Sequence, residues 1–426
     1  MRVAFAHYSQ ANDISGVTTW VLGLARRLSA DGVRVAIHFV VSPGETEEGE
    51  PPLFEELRRQ GLHVSWAPRR ATLRDDVQDT LRFLNDWKPT VFLPQCKPAH
   101  YAAAAAAGAR GLPWVLTLHS DDPDYWATVR SFGGSRYGGS IVCVSRYIQS
   151  ELRRRQSDPP SLVIPYGVRL PAAQAAYRNT PFRVVFSGRI WEHQKRAGLV
   201  IQALILACQA HPAIRATLIG DGYARAACEQ QVADAGLGAS IHFTGPLTPA
   251  EVETRLLDAQ AILLMSDFEG LPIALLEAMA AGVVPVVRRI PSGIPELVAN
   301  ERTGLLVSAD PGEAAQAILR LAGDPGLWQS CSTAARSLVI QEYSADGSYA
   351  RWRRLLEELH QRQPAVSASR PYPIDAGRIH GLRRIDPAML QEYRTTPPLR
   401  TRLGQVLSTV IARTKHRIKG TLTRRS

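Results

Sequence analysis

The stretch AILLMSDFEGLPIALLEAMAAGVVPVV, from Ala261 to Val287, decides the fold. AILLMS is a short apolar run typical of a buried strand, and VVPVV is a second such run. Between them, IALLEAMAA consists of good helix formers, and Gly282 closes that helix. A strand, a helix and a strand in this order make the repeating unit of a parallel sheet, so the stretch predicts an α/β fold.

The same alternation extends along both halves of the chain. The first half contains the apolar runs RVAFAHY, VRVAIHFVV, TVFLPQC, PWVLTLH and SIVCVS, and the second contains FRVVFSG, RATLIG, SIHFTG, AILLMS, VVPVV and TGLLV. Helical patterns such as TTWVLGLARRLSADG separate these runs. We therefore expect two Rossmann-like, doubly wound parallel sheets that face each other across a cleft, with ligands beyond the carboxyl ends of the strands.

The length of 426 residues exceeds what one ordinary core can organise, which also favours two domains. We predict a first domain at residues 1–172 that receives a return helix at 341–360, and a second domain at 173–340. From residue 361 the composition shifts to Pro, Ser and Arg, which indicates a separate C-terminal tail at 361–426 with a helix.

The cysteines and the apolar runs indicate the compartment. Five cysteines are spread along the chain without a CxxC pair, which favours a reducing compartment and argues against a zinc site. No apolar run reaches the length of a membrane span, and MRVAFAHYSQAND becomes polar too early for a secretion signal. We expect a cytoplasmic protein, either free or peripheral on the inner face of the plasma membrane.

The excess positive charge lies in the tail. Residues 361–426 hold 14 Lys and Arg and 3 Asp and Glu, whereas the rest of the chain holds 36 of each sign. Within 400–426, apolar residues recur at three- and four-residue steps between arginines and lysines, as in a basic helix lying on an anionic membrane surface. The alternative is a helix that packs on the body of the protein or is partly disordered. Few aromatic residues are present for stacking on bases, so we expect no nucleic-acid partner.

Glu277 is the one ionisable residue between Gly270 and Val287. Burying an unpaired carboxylate is costly, so Glu277 is expected to have a partner. The partner is either a cation in the core or a polar ligand whose hydroxyl groups donate hydrogen bonds. A position about one turn from the start of a helix also favours an anionic ligand group nearby.

The run SDFEGLPIALLEAMAAGVVPVV resembles the signature of family 4 retaining glycosyltransferases of the two-Rossmann GT-B architecture, which has Glu, seven residues and Glu. Here these residues are Glu269 and Glu277. Other segments match in order from about residue 1 to 360, namely SGVTTWVLGLARRL, TLHSDD, VCVSRYIQSEL, VIPYGV, FSGRIWEHQKRAG, LIGDG, HFTG, SGIPELV and TGLLV. The resemblance implies a donor site for a nucleotide-diphosphate sugar as co-substrate.

The resemblance implies roles for residues of the second domain. Arg189 and Lys195 bind the diphosphate and neutralise its charge, although the interval between them is one residue longer than in many members, and Arg196 follows where glycine is commoner. Glu277 accepts hydrogen bonds from the ribose hydroxyls, and Glu269 holds the transferred sugar. Gly270 and Leu271 offer backbone amides to the sugar or the phosphate. Residues 242–245 and 288–292 are expected to select the base and the sugar.

In the first domain, Gly16 lies between a strand and a helix, where a residue without Cβ lets the backbone approach a phosphate. His119 ends the strand PWVLTLH and matches a family histidine that contacts the donor sugar. The alternative is a structural histidine at a strand end. Ser120 stands where the family has Asp, and Asp121 or Asp122 is a candidate for orienting the acceptor.

The implied reaction transfers a sugar, of hexose type, with retention of anomeric configuration and without a metal ion or a protein nucleophile. The departing phosphate takes the proton of the attacking hydroxyl. The acceptor is expected to be a glycan or a lipid-linked molecule in the synthesis of cell-envelope polysaccharide or glycolipid.

Three other functions are compatible with parts of the pattern. An NAD-dependent dehydrogenase shares the strand and helix rhythm, but LIGDGYARAA has Arg225 where the dinucleotide fingerprint needs a third small residue. A nucleotide-sugar epimerase of the same architecture would use a similar donor site without an acceptor. A catalytically silent donor-binding or membrane-scaffold protein would keep the charged site residues without turnover.

Overall fold

The computed structural model describes residues 1–9, 15–42, 50–133, 139–156 and 160–362. These residues form two open parallel sheets with helices packed against them, which confirms the predicted fold class. The predicted amphipathic helix at 400–426 lies outside the described residues, so it and its membrane contact stay predictions. The domain limits at residues 172 and 340 also stay predictions.

The first sheet consists of β1 (Arg2–Ser9), β2 (Arg34–Val41), β3 (His63–Pro68), β4 (Val91–Pro94), β5 (Trp114–Leu118), β6 (Gly139–Cys143) and β7 (Ser161–Val163). Their spatial order is β3-β2-β1-β4-β5-β6-β7, and β1 and β2 pair in parallel from Arg2 opposite Arg34 to Ser9 opposite Val41. The strand order reverses between β1 and β4, where open α/β sheets leave a crevice for ligands.

The second sheet consists of β8 (Phe182–Ser187), β9 (Ile214–Ile219), β10 (Ile241–Gly245), β11 (Ala261–Leu264), β12 (Val284–Arg288) and β13 (Leu305–Val307). Their order is β10-β9-β8-β11-β12-β13. Here the order reverses between β8 and β11, so this sheet has its ligand crevice at the carboxyl ends of these two strands.

Helices occupy most of the connections between the strands. In the first half they are α1 (Gly16–Ala30), α2 (Pro52–Arg59), α3 (Leu73–Trp87), α4 (Pro98–Gly108), α5 (Pro123–Phe132) and α6 (Arg146–Arg155). The second half contains α7 (Ala197–Ala210), α8 (Arg225–Asp234), α9 (Pro249–Leu257), α10 (Ile273–Ala280), α11 (Ile294–Leu297), α12 (Pro311–Gly323), α13 (Pro325–Glu342) and α14 (Ala345–Gln361). No helix within the described ranges is both long enough and apolar enough to cross a membrane.

The stretch that predicts the fold forms β11, α10 and β12. β11 lies between β8 and β12 and is fully buried, and most side chains of α10 are buried as well. Burial of the strand and of most of the helix explains why this stretch contains almost no charge. After α10, Gly282 has a φ of +82°, the left-handed conformation that glycine adopts at the end of a helix without steric cost.

The last described helix, α14, returns to the first sheet. The ring of Trp352 lies 5.2 Å from that of Trp20 in α1. The Ser348 hydroxyl donates a hydrogen bond of 2.7 Å to the carbonyl oxygen of Pro165. These contacts tie the end of the described chain to its beginning.

The hydrophobic pattern does not predict β3 and β7, which form the two edges of the first sheet. In β3 exposed residues such as His63 and Trp66 alternate with buried ones, and β7 is three residues long with Leu162 exposed. An edge strand has one neighbour and partial contact with solvent. It therefore does not need the continuous apolar run by which the central strands are recognised.

Candidate functional site

The predicted site residues follow strands at, or next to, the point where the strand order reverses. In the second sheet, Arg189 and Lys195 follow β8, and Glu269 follows β11. In the first sheet, Gly16 begins α1 after β1, and His119 follows β5, the neighbour of β4. The fold therefore gathers residues that are far apart in sequence at the carboxyl ends of the two sheets.

The loop after β11 touches the first domain directly. A Cβ built on Gly270 would lie 2.0 Å from the carbonyl oxygen of His119 and 2.9 Å from Cα of Ser120. A Cβ built on Gly16 would lie 3.1 Å from Cδ1 of Ile273. A side chain at position 270 would force the two backbones apart, whereas the tip of Ile273 can move. The carboxyl ends of the two sheets therefore face each other.

Glu296 of α11 adds a polar contact between the two halves. Its carboxylate accepts hydrogen bonds from the backbone N–H of Tyr147, at 2.8 Å, and of Arg146, at 3.2 Å. These residues begin α6, and the unpaired N–H groups at the start of a helix favour an anion. Glu296, the acidic residue of SGIPELV, thus links the second half of the chain to the first by hydrogen bonds.

Lys195 and Glu269 form a buried ion pair. The Lys195 Nζ lies 2.6 Å from Glu269 Oε1, and their side chains are 13% and 7% exposed. The two residues are 74 positions apart, on the loops after β8 and β11. The Lys195 ammonium thus bridges the loop predicted to bind the diphosphate and the carboxylate predicted to hold the sugar.

Gln194 holds the side chain of Arg189 and the loop after β11 together. Its Oε1 accepts a hydrogen bond of 2.9 Å from the Arg189 guanidinium, and its Nε2 donates one of 3.2 Å to the Phe268 carbonyl oxygen. The Gln194 carbonyl oxygen also accepts the N–H of Asp267 at 2.9 Å. The guanidinium of Arg189 lies 4.3 Å from the ring centroid of Trp191. Arg189 is therefore held in place without a carboxylate partner in the described part of the chain.

Arg196 occupies a left-handed backbone conformation, with a φ of +51°. Only glycine adopts this region freely, which gives a physical reason for the glycine that is commoner there in the family. The Arg196 side chain lies near Asp267, with 3.6 Å between its Nε and Oδ2. Asp267 also pairs with Arg288 at the end of β12, so this carboxylate is shared by two guanidinium groups.

Glu277 lies in the second turn of α10, and its side chain has no hydrogen bond or ion pair to another residue of the described ranges. Burial raises the pKa of its carboxyl group from 4.5 to about 7, and no nearby charge contributes to the shift. The alternative of a core cation as partner is not seen among the described residues. The carboxylate keeps its capacity to accept hydrogen bonds from a ligand.

The backbone amides of Gly270 and Leu271 donate no hydrogen bond to another described residue. They precede α10, whose first residue follows Pro272 and whose start has no side-chain cap. Unpaired N–H groups at this position can donate hydrogen bonds to an oxygen of a ligand. Their geometry is compatible with the predicted role, which stays a prediction, as does that of Gly16.

His119 is buried, and both of its ring nitrogens have protein partners. Nε2 lies 2.7 Å from Gln95 Oε1, and Nδ1 lies 2.5 Å from the hydroxyl of Tyr166. An amide oxygen only accepts, so Nε2 carries the proton and Nδ1 accepts the Tyr166 hydroxyl proton. A contact of a ring nitrogen with a donor sugar would require one of these hydrogen bonds to break. The predicted contact with the sugar therefore stays a prediction.

We expect His119 to remain neutral between about pH 5 and pH 8. Burial, and secondarily His7, lowers the pKa of His119 from 6.5 to about 3. Because the unfolded chain binds a proton that the folded chain does not, His119 favours folding fully above pH 6.5, and this contribution is lost as the pH falls towards 3. The pH dependence of the His119 ring signals in NMR spectra measures this pKa, and the signals are assigned by their loss in His119→Asn. A titration midpoint near 6.5 would contradict the buried, doubly bonded state.

The two candidate acceptor-orienting acids have structural partners. The Asp121 carboxylate accepts hydrogen bonds from the Trp126 indole N–H at 2.6 Å and from the Tyr147 hydroxyl at 2.5 Å. Asp122 accepts the N–H of Asp124 at 2.9 Å and caps α5. Both carboxylates thus stabilise local structure, and the role of either one in orienting the acceptor stays a prediction.

Three further side chains at this site are not predicted by the motifs, namely Gln194, Tyr166 and Glu296. Each lies inside a segment that matches the family, FSGRIWEHQKRAG, VIPYGV and SGIPELV respectively. The position of Gln194 between the two predicted cations could have indicated that it belongs to the site. No comparable pattern in the sequence indicates the partners of Tyr166 and Glu296, because those partners come from distant segments.

Two doubly wound sheets with facing carboxyl ends define the GT-B class of folds. In agreement, the crystal structure of Anabaena Alr3699/HepE in complex with UDP and glucose superposes with a TM-score of 0.67. It covers 83% of this chain and 99% of that chain, at 16% sequence identity. This similarity concerns the fold.

The chain belongs to the family 4 type of glycosyltransferases by sequence. Residues 14–170 match the family model described as Glycosyltransferase Family 4, and residues 181–324 match the one described as Glycosyl transferases group 1. The two matches together cover well over half of the chain, one on each sheet.

Two curated relatives are similar to this chain. The amylovoran biosynthesis glycosyltransferase AmsK of Erwinia amylovora is 33% identical over 188 residues, which are 42% of this chain and 46% of AmsK. The putative teichuronic acid biosynthesis glycosyltransferase TuaC of Bacillus subtilis is 23% identical over 294 residues, which are 65% of this chain and 72% of TuaC. The chain spans less than half the length of the curated relatives that it matches at 33% identity.

Proposed function

We propose that this chain is a retaining glycosyltransferase that moves a sugar from a nucleotide-diphosphate sugar to a hydroxyl group of a glycan or a lipid-linked acceptor. The observation that carries the proposal is the carboxylate of Glu277, a half-buried residue whose side chain has no partner among the described residues. A chain that keeps such a group gains from a ligand that donates hydrogen bonds to it. Two adjacent ribose hydroxyls have this chemistry.

The loop after β8 supplies the charge for the diphosphate. Arg189 is held by Gln194 and Trp191 and has no carboxylate partner within the described ranges, so its guanidinium can bind phosphate oxygens in bidentate fashion. Lys195 is already placed by Glu269 and can contact a phosphate while keeping that pair. Positive charge held in position before the reaction stabilises a leaving diphosphate. These two cations could therefore serve a transfer without a metal ion.

In the proposed reaction, Glu269 and the unpaired amides of Gly270 and Leu271 hold the sugar at the start of α10. The bond between the anomeric carbon and the diphosphate oxygen breaks as the acceptor oxygen approaches from the same face. The departing phosphate oxygen takes the proton of the acceptor hydroxyl. None of these steps needs a nucleophile from the protein.

The descriptions of two relatives support the proposed class of acceptor. AmsK is described as an amylovoran biosynthesis glycosyltransferase and TuaC as a putative teichuronic acid biosynthesis glycosyltransferase. Both descriptions concern the synthesis of a polysaccharide. We therefore place the proposed transfer in cell-envelope polysaccharide or glycolipid synthesis, in the cytoplasm or at the inner face of the membrane.

A thermal-shift panel of UDP-, GDP- and ADP-sugars on the purified protein tests the donor assignment. A donor present at about 100 times its dissociation constant should stabilise the protein by about 2.7 kcal/mol, which is a shift of several degrees. Glu277→Ala should lose the shift. Glu342 on α13 is exposed and has no ion pair within the described residues, so Glu342→Ala should keep the shift. Absence of a shift in the unsubstituted protein with every donor would contradict the proposal.

A further inference from the structure

The loop after β9, which contains LIGDG, supports the segment 188–195 that carries the two proposed phosphate-binding cations. A Cβ built on Gly220 would lie 2.0 Å from the carbonyl oxygen of Gly188. A Cβ built on Gly222 would lie 2.5 Å from the carbonyl oxygen of Ile190. The two glycines therefore let the backbones of the two loops come into direct contact. The sequence LIGDG, which does not match the dinucleotide-binding fingerprint, thus packs against the segment 188–195 instead.

Tyr223, the residue after this glycine pair, reaches the same segment with its side chain. Its hydroxyl oxygen accepts hydrogen bonds from the backbone N–H of Glu192, at 2.9 Å, and of His193, at 3.0 Å. Its ring centroid lies 5.8 Å from that of Trp191. The Tyr223 side chain is nevertheless well exposed, at 66% for the residue. The hydroxyl group, rather than burial of the ring, thus accounts for its most specific contacts.

The segment has a separate support at each end. At the first end, the Arg189 guanidinium is held by Gln194 and lies over Trp191. At the other end, Lys195 is held by Glu269.

Between these ends, the backbone N–H groups of Glu192 and His193 donate only to Tyr223 among the described residues. The Glu192 carboxylate in turn accepts the N–H of Gly198 at the start of α7, which has no cap from its own N-cap residue. A backbone held at this point also restricts the direction in which the Lys195 side chain points.

We propose that Tyr223 is a positioning residue for the diphosphate of the donor. Its hydroxyl holds the middle of the segment 188–195 and so keeps Arg189 and Lys195 at the spacing that one diphosphate requires. This inference rests on the proposed function, because it assumes that these two cations bind phosphate. Glu277 lies on α10 and not on this segment, so recognition of the ribose should not depend on Tyr223.

Tyr223→Phe tests the inference, because it removes the hydroxyl group and keeps the ring beside Trp191. Calorimetry with UDP, GDP and ADP first finds the nucleotide that the unsubstituted protein binds. The variant should bind that nucleoside diphosphate about three- to tenfold more weakly, as expected for the loss of hydrogen bonds whose donors can turn to water. Binding of the corresponding nucleoside, followed by ligand-observed NMR, should be unchanged. The melting temperature without ligand should change by less than about 2 °C.

The matched control is Tyr349→Phe on α14. It removes a hydroxyl that donates to Asp31 at 2.6 Å, away from the carboxyl ends of the two sheets. It should leave both affinities unchanged. If Tyr223→Phe binds the diphosphate as tightly as the unsubstituted protein, or weakens nucleoside and diphosphate equally, the positioning role is wrong and the proposed function stands. If the unsubstituted protein binds none of the three diphosphates, the proposed function itself fails.

Discussion

At pH 8, the Glu277→Gln variant is expected to be more stable than the unsubstituted protein by about 3 kcal/mol. Burial raises the pKa of Glu277 from 4.5 to about 7. The folded state therefore keeps a proton that the unfolded state has released. The free energy of unfolding falls as the pH rises from about 4.5 to about 7 and stays low above it. Glutamine is neutral at every pH, so urea denaturation should show a small difference at pH 5 and a large one at pH 8.

The same substitution should weaken donor binding at least tenfold, because a hydrogen bond to a charged acceptor is worth about 1.5–3 kcal/mol. A gain in stability with a loss of binding is the pattern of a group kept for function. Glu342→Gln, on the exposed side of α13, is the control and should change the free energy of unfolding by less than about 0.5 kcal/mol. If Glu277→Gln lowers stability at pH 8, the carboxylate has a partner within the folded chain.

Lys195→Ala is expected to lower the free energy of unfolding by about 3–5 kcal/mol, because it leaves the Glu269 carboxylate buried without its partner. The pair is close, at 2.6 Å, and both side chains are largely buried. Binding of the nucleoside diphosphate should fall as well, since Lys195 is one of the two proposed phosphate ligands. Urea denaturation measures the first effect and calorimetry the second.

A double variant separates the structural effect from the functional one. Lys195→Met combined with Glu269→Leu removes both charges, so most of the lost stability should return. Diphosphate binding should stay weak. Arg320→Ala is the control, because it breaks the exposed pair of Arg320 with Glu301 and should cost less than about 1 kcal/mol. A double variant that binds the diphosphate normally would contradict the role of Lys195.

The local elements were predictable because they depend on neighbouring residues. The apolar run before Ser266, the helix formers after Pro272 and the glycine at 282 suffice to predict β11, α10 and the end of that helix. The unusual lone carboxylate at Glu277 was likewise visible in the sequence. The edge strands β3 and β7 of the first sheet were not, because a strand with one neighbour does not need a continuous apolar pattern.

The partners of the site residues were not predictable in the same way. Lys195 and Glu269 were each expected to contact the donor, and the structure pairs them with each other. His119 was expected to contact the sugar, and both of its nitrogens are bonded to Gln95 and Tyr166. These contacts join residues between 24 and 74 positions apart. Spacing along the chain contains no information on such distances.

By itself, the sequence determined that the chain folds as two parallel α/β sheets and that Glu277 stands alone in an apolar helix, because strand and helix periodicity and the cost of a buried charge act over short segments. The tertiary structure decided which side chains meet where the two sheets face each other. It paired Lys195 with Glu269, enclosed His119, and left Glu277 without a partner among the described residues. The reason is physical, since Coulombic and hydrogen-bond energies depend on distances in space, and those distances exist only after the strands have taken their order in the sheets.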